Sequence, residues 1–421
     1  MNSFGDERDW FVKKRFGLFL HFGLYAIEGW HEQDQMRRSI PRSEYQQLIT
    51  RFNPVDFNAD YILDLAESVG MEYVCLTTKH HDGFCLWDTT FTDYNIMNTP
   101  YGKDLVAELA DACHRRGFPL GLYYSIADWH HPSYPNEGRH HELPPQPTDQ
   151  PDWQQYLDFL KNQVRELCTH YGKIHHFFWD VNVPKYKDPS INAMLRQLQP
   201  CMVINDRGFD DGDFGTPERE YQKNELDHVI RFNKATEACN SVDTQSWGYR
   251  QQESYYSSSY LKQMIDIVMA KGGNYLLNVG PDAKGQIPKT AQKLLQRIGT
   301  WYTKVREAFD AEPATELVNT KNIFVTRREN LLYIHLPYPT ADTIVLQPLV
   351  QQPRQAVLLN TGELLSTSVE YLPSLFFTGQ SYLQVKGLPI EGLLGEPFVL
   401  RLDFGERIDS KLADPTNEFE G

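Results

Sequence analysis

No stretch of this 421-residue chain approaches the roughly 18 consecutive apolar residues that a membrane-spanning helix needs, so no membrane partner is expected. The N-terminus, Met-Asn-Ser-Phe-Gly-Asp-Glu-Arg-Asp, has no basic segment followed by an apolar one, so no secretory leader is expected either. Lys and Arg are nowhere clustered, and 41 basic residues stand against 56 acidic ones for a net charge of −15. Phosphate backbones require concentrated positive charge, which argues against a nucleic-acid partner. The six cysteines (Cys75, Cys85, Cys113, Cys168, Cys201, Cys239) show no C-x-x-C spacing. Several fall in apolar segments, where a thiol behaves as a small hydrophobe, and the expectation is a cytoplasmic protein with buried reduced thiols. H-x-H and H-E-x-x-H spacings are also missing, which leaves no motif for a metal site. Internal repeats are absent.

What is present is a recurring run of strand-forming residues that stops at polar ones. Five such runs occur: Gly17 to His21, Tyr73 to Asp82, Leu120 to Asp128, Phe177 to Asn182 and Met202 to Arg207. A strand buried on both faces reads as a continuous apolar run. Polar groups at its carboxyl end are where a parallel α/β barrel builds an active site. Between the runs, Asp60 to Val69, Asp104 to Arg116 and Tyr156 to Tyr171 have helical spacing, each followed by glycine (Gly70, Gly117, Gly172). Strand, helix, glycine, strand is the grammar of βα units.

The segment 129–153 breaks that grammar. It is rich in Pro and His, follows a strand end, and is expected to overhang the pocket as a lid or subsite wall. After Leu317 the pattern becomes short strands separated by turn residues, the pattern of an all-β sandwich. The expected fold is α/β, a (β/α)8-like TIM barrel followed by a C-terminal antiparallel β-sandwich. The expected domains are residues 1–314 and 315–421, the second ending in a frayed tail.

Asp180 ends the aromatic run His175-His-Phe-Phe-Trp179. A carboxylate walled by aromatic rings at a barrel strand end suits a nucleophile for a sugar anomeric carbon. Retaining glycoside cleavage needs a second carboxyl roughly 5–5.5 Å away, acting as acid and then base. Glu218, Glu220 and Glu237 are the candidates, with Glu218 leading because it follows the glycine- and aspartate-rich loop after Asn205-Asp-Arg207. His80 and His81 would point oppositely on a regular strand, yet at a strand end both can reach one cavity and bind sugar hydroxyls. Arg207 calls for an acidic partner or a substrate hydroxyl. Trp247 could wall the methyl group of a deoxy sugar.

Six motifs then resemble one family. They are Arg15 to Tyr25, Thr78-Lys-His-His-Asp-Gly-Phe84, Gly121-Leu-Tyr-Tyr-Ser125, Asn205-Asp-Arg207, Ser246-Trp-Gly-Tyr249 and Gly272 to Pro281. In this order they are similar to the glycoside hydrolase family 29 α-L-fucosidases over roughly residues 10–310. The resemblance implies a retaining exo-glycosidase that removes terminal α-L-fucose from fucosylated oligosaccharides or glycoconjugates, with no metal or organic cofactor. It implies fucose contacts from His21, His80, His81 and Tyr123, with Arg207 beside them. It puts Asp180 at the nucleophile position and Glu218, in Asp213-Phe-Gly-Thr-Pro-Glu218, at the acid/base position. Glu32 matches an early fucose-binding glutamate, with Trp30 nearby. The chain departs from the family's Trp-Phe-Asp-Gly, having Phe178-Trp-Asp-Val181, so either Phe178 takes the tryptophan's place or the register slips.

Three rivals remain at this level. An α-L-galactosidase on the same fold would differ at the sugar's C6 hydroxyl, and a non-catalytic fucose-binding protein would keep the pocket without the chemistry. A metallohydrolase built on the histidines is a third. Linkage, aglycone and oligomeric state are not legible, and a homo-oligomer is compatible with the sequence.

Overall fold

The computed structural model describes residues 3–181, 188–219 and 230–408. Asn182 and Glu220 lie outside them.

Seven parallel strands form the first sheet: β1 (Phe16–Leu20), β2 (Tyr73–Lys79), β3 (Leu120–Ser125), β4 (His176–Asp180), β5 (Val203–Ile204), β6 (Glu237–Ser241) and β7 (Asn274–Val279). Their order is β5-β4-β3-β2-β1-β7-β6. An extended stretch, 214–219, bridges the two outer strands. Asp206 N donates to Phe214 O at 3.0 Å on the β5 side, and on the β6 side Glu237 N donates to Gly215 O at 2.8 Å and Cys239 N to Pro217 O at 3.0 Å. The sheet thereby curls into a barrel whose eighth stave is this stretch, and Glu218 sits on the stave rather than on a free loop.

The sequence shows why the helices cover this sheet. Asn58, Asp104 and Asp152 accept main-chain N–H groups at the starts of Ala59–Val69, Leu105–Arg116 and Trp153–His170. Gly70 and Gly117 end the first two in the left-handed region, at φ 90° and 61°, where a side chain would be strained. The apolar helix faces (Ile62, Leu63, Ala66; Val106, Leu109, Ala110) share one core with the outward residues of the strands, such as Leu18, Leu76 and Leu122. Inward residues form a separate cluster inside the barrel: Phe19, Tyr73, Cys75, Tyr123, Phe178, Cys239 and Leu276.

β4 alternates inward and outward side chains. Trp179 is buried and its Nε1 donates to Asn192 Oδ1 at 2.9 Å, on the helix Pro189–Leu198 outside the barrel. Phe178 and Asp180 face the interior, as the two-residue period requires. Phe178 therefore holds the inward position two residues before Asp180, with Trp179 turned outward between them. Val181 follows with φ 64°, a conformation glycine adopts freely and a β-branched residue rarely does. That backbone explains why glycine suits this position.

Beyond residue 311 the strands are antiparallel. One sheet has the order β13-β12-β16-β10-β9-β8 and a second β11-β15-β14. Their strands are β8 (Glu312–Pro313), β9 (Phe324–Arg328), β10 (Leu331–Leu336), β11 (Thr343–Leu346), β12 (Gln355–Leu358), β13 (Glu363–Leu364), β14 (Ser366–Tyr371), β15 (Ser381–Lys386) and β16 (Phe398–Asp403). The sheets enclose their own core, including Val325, Ile334, Leu346, Leu383 and Leu400. The helix Ser258–Ala270 docks this unit through His335 Nδ1 and Asp266 Oδ1 (2.7 Å) and through Lys262 Nζ, which donates to Glu396 Oε1 (2.6 Å). No helix among the described residues is long and apolar enough to cross a membrane.

Candidate active site

At the carboxyl ends of the barrel strands lies a cavity of about 1140 Å³. Its walls include His21, Glu32, His80, His81, Tyr123, Phe178, Asp180, Arg207, Glu218 and Trp247. Of the described residues singled out from sequence, Trp30 and Glu237 stand apart. The chain turns at Gly29 (φ 56°), so Trp30 is 43% exposed beneath the Arg38 guanidinium, and the buried His31, Glu32 and Gln33 turn inward. Glu237, the other described glutamate considered as an acid, starts β6 at the far end of the barrel from Asp180. It is fully buried, with Tyr73 Oη donating to it at 2.6 Å and His176 Nε2 at 3.0 Å.

Asp180 is held from three sides. Tyr123 Oη donates to Oδ2 at 2.5 Å, Arg207 Nη1 reaches Oδ1 at 3.1 Å, and His81 Nε2 lies 3.8 Å from Oδ2. Burial raises the carboxyl's pKa, but His81, Arg207 and the Tyr123 phenol outweigh it and hold Asp180 well below the usual carboxylate range. Burial drives His81 itself down to about 3, so near neutral pH it is an uncharged imidazole, and the guanidinium is the lasting counter-charge. Arg207 is fixed in turn: Nε donates to Thr216 Oγ1 and Nη2 to Thr216 O, both at 2.7 Å. The same Nη1 that reaches Asp180 contacts Glu218 Oε1.

The remaining wall suits hydroxyl groups. Burial lowers His21 to about 4 and His80 well below its ordinary value, so both are neutral donor–acceptor groups near pH 7. His80 Nδ1 is buried and has no hydrogen-bond partner among the described residues. His21 Nδ1 pairs with Asn278 Oδ1 at 2.7 Å, and its ring stacks on Trp247 at 5.2 Å. Glu32 Oε2 receives Ser246 Oγ (2.5 Å), Trp247 N (2.9 Å) and Gly248 N (3.3 Å). Sequence reasoning did not single out Phe19, Gln33 and Thr216, which also line the cavity. His140 and His141 line it too, so the Pro- and His-rich loop does form a wall. Trp129 Nε1 ties that loop down by donating to His141 O at 2.8 Å.

Ligand atoms of His80, His81 and Asp180 lie within 4.8 Å of one another, close enough to hold a cation. The Asp180 oxygens already face a guanidinium and a phenol, which fits the trio better to hydroxyl groups than to a metal ion.

The depressed histidines give the fold a pH dependence. A histidine whose pKa falls on folding binds fewer protons folded than unfolded, so stability is greatest above the unfolded value of about 6.5 and is lost as pH falls. For His21 the loss develops down to about 4 and is on the order of 3 kcal/mol. Asp82, buried and raised to about 7, acts in the opposite direction, so the comparison must be between variant and wild type. Urea unfolding of His21→Gln should show a stability difference between pH 7 and pH 4 that is smaller by roughly this amount. Parallel profiles for the two proteins would contradict it.

The alpha-L-fucosidase family model matches residues 4–307. The chain belongs to the α-L-fucosidase family. It is 27% identical to the tissue α-L-fucosidase of Rattus norvegicus over 372 residues, covering 80% of this chain and 78% of that one. The human tissue α-L-fucosidase is 26% identical over 372 residues, covering 80% and 77%. Among solved structures, α-L-fucosidase isoenzyme 1 from Paenibacillus thiaminolyticus superposes with a TM-score of 0.84 at 32% identity, covering 94% of this chain and 98% of that chain. An α-L-fucosidase from Bacteroides thetaiotaomicron, trapped as a covalent intermediate with 2-fluoro-fucosyl fluoride, superposes with a TM-score of 0.79 at 26% identity. That match covers 96% of this chain and 97% of the other. The family's TIM barrel and β-sandwich are the fold seen here.

Proposed function

We infer that this protein is a retaining α-L-fucosidase, with Asp180 as nucleophile and Glu218 as acid and then base. The observation that carries the reading is the shared nitrogen. Arg207 Nη1 touches one oxygen of each carboxylate. Two hydrogen-bond lengths limit the separation of those oxygens to about 6 Å. Retaining glycosidases hold their carboxyls roughly 5–5.5 Å apart, a spacing that this shared contact accommodates.

In the first step Asp180 attacks the anomeric carbon while Glu218 gives its proton to the departing oxygen. Water, deprotonated by Glu218, then releases fucose and frees Asp180. The neutral His21, His80 and His81, together with Glu32, bind the sugar's hydroxyls. Phe19, Phe178 and Trp247 supply apolar surface for its methyl group, which favours fucose over α-L-galactose. The cavity is roomier than one sugar requires, and the wall with His140 and His141 leaves space for the rest of a fucosylated glycan.

Release of 4-nitrophenol from its α-L-fucoside tests the reading, with the α-L-galactoside alongside. Turnover of the fucoside with little of the galactoside is expected. Binding of fucose without turnover would sink the enzyme reading and leave a sugar-binding protein.

A further inference from the structure

Arg219 follows Glu218 directly, and none of the motifs above uses it. On a regular strand the two side chains would point to opposite faces. Arg219 takes φ 41°, which breaks the alternation and brings its side chain round to the segment 243–248. There, among the described residues, its guanidinium donates to main-chain carbonyls: Nη1 to Asp243 O (3.3 Å) and Thr244 O (3.2 Å), Nη2 to Ser246 O (2.9 Å). Its central carbon lies 4.6 Å from the centre of the Trp247 ring.

The segment it grips is itself part of the pocket. Ser246, Trp247 and Gly248 supply the three donors to Glu32, and Trp247 O accepts from Asn278 Nδ2 at 2.6 Å. Behind Glu218 the main chain is pinned to β6, with Cys239 N donating to Pro217 O (3.0 Å) and Arg219 N to Cys239 O (3.1 Å). Arg219 therefore links the stave that carries Glu218 to the loop that carries Trp247 and anchors Glu32.

We propose that Arg219 is a positioning residue for proton transfer, holding Glu218 in register with the sugar-binding wall. The proposal rests on Glu218 being the acid/base. A proton donor must sit within hydrogen-bond reach of the leaving oxygen, and small displacements cost rate. The planar fork that spans three carbonyls and an aromatic face has no equivalent in lysine.

The test is the dependence on leaving group. Phenyl α-L-fucoside needs a proton donor, whereas 2-chloro-4-nitrophenyl α-L-fucoside departs without much help. Arg219→Met should lower kcat/KM on the phenyl glycoside by about 30-fold or more, part of the roughly 10²–10⁴-fold that general acid catalysis supplies. On the activated substrate it should lose less than about 3-fold, because no proton is then required. Arg219→Lys should fall between, and it decides the matter if the methionine variant does not fold. Equal losses on both substrates, or none on either, would overturn the proposal. Glu218→Ala is run alongside. If it shows no leaving-group dependence, the assignment of Glu218 has failed. If it does and the Arg219 variants do not, the positioning role alone has failed.

Discussion

Asp180→Ala should lower kcat on 4-nitrophenyl α-L-fucoside by roughly 10⁴–10⁶-fold, the scale on which loss of a covalent nucleophile acts in other hydrolases. The expectation follows from what surrounds the carboxylate. Tyr123 at 2.5 Å and Arg207 at 3.1 Å keep it charged despite burial, so it is ready to attack without a base to activate it. In the alanine variant azide can enter the vacated space, and turnover should return as β-fucosyl azide forms. Rescue with the opposite anomer, or a variant as active as wild type, would remove Asp180 from the mechanism. Thermal unfolding should separate this from misfolding. The variant loses an anion facing a guanidinium, but Arg207 keeps Thr216 and Glu218 as partners.

Glu32→Ala should damage both stability and recognition. The side chain is 2% exposed and collects donors from Ser246, Trp247 and Gly248, so truncation strands polar groups in a buried place. At about 1–3 kcal/mol for each buried donor left unsatisfied, the total is on the order of 3–5 kcal/mol. The loss of a charge-assisted hydrogen bond to a sugar hydroxyl, about 1.5–3 kcal/mol, should lower kcat/KM by roughly 10- to 100-fold. Glu32→Gln keeps an acceptor for Ser246 or Trp247 and should recover part of the stability but less of the activity. Urea unfolding and steady-state kinetics on both variants check this. Unchanged stability in Glu32→Ala would mean that the 246–248 segment is held by something else, such as Arg219.

Much of this was legible where hydrophobicity and face agree. The runs at β1 to β4 are apolar because helices cover one side and aromatic side chains fill the other, and their polar ends do form the cavity. The fifth run, Met202 to Arg207, is a regular strand only at Val203–Ile204. Asn205 then continues the pairing with its side chain, accepting from Trp179 N at 2.9 Å and donating to Trp179 O at 2.8 Å.

The closing part of the barrel was hidden. β6 reads Glu-Ala-Cys-Asn-Ser, small and polar, because its inward residues join a hydrogen-bonded layer: Glu237 lies beneath the pocket with His176 and Tyr73. The eighth stave contains Gly215 and Pro217 and makes only isolated bridges, so no strand pattern marks it. Only the Asp-Phe-Gly-Thr-Pro-Glu218 string drew attention to it. Trp30 failed for a different reason, since proximity in sequence to Glu32 says nothing about direction once Gly29 turns the chain. His141 was visible as composition alone. Its contacts with Gln33 (3.1 Å) and Trp129 come from segments more than ten residues away.

Incubation with 2-fluoro-fucosyl fluoride, followed by mass spectrometry of the intact protein and of its peptic peptides, tests the central claim most directly. The account predicts one added fluorofucosyl group, located on Asp180, appearing as activity is lost and disappearing as activity returns. Attachment to Glu218 or another side chain would contradict it, as would steady turnover of the reagent with no covalent adduct and inversion at the anomeric carbon.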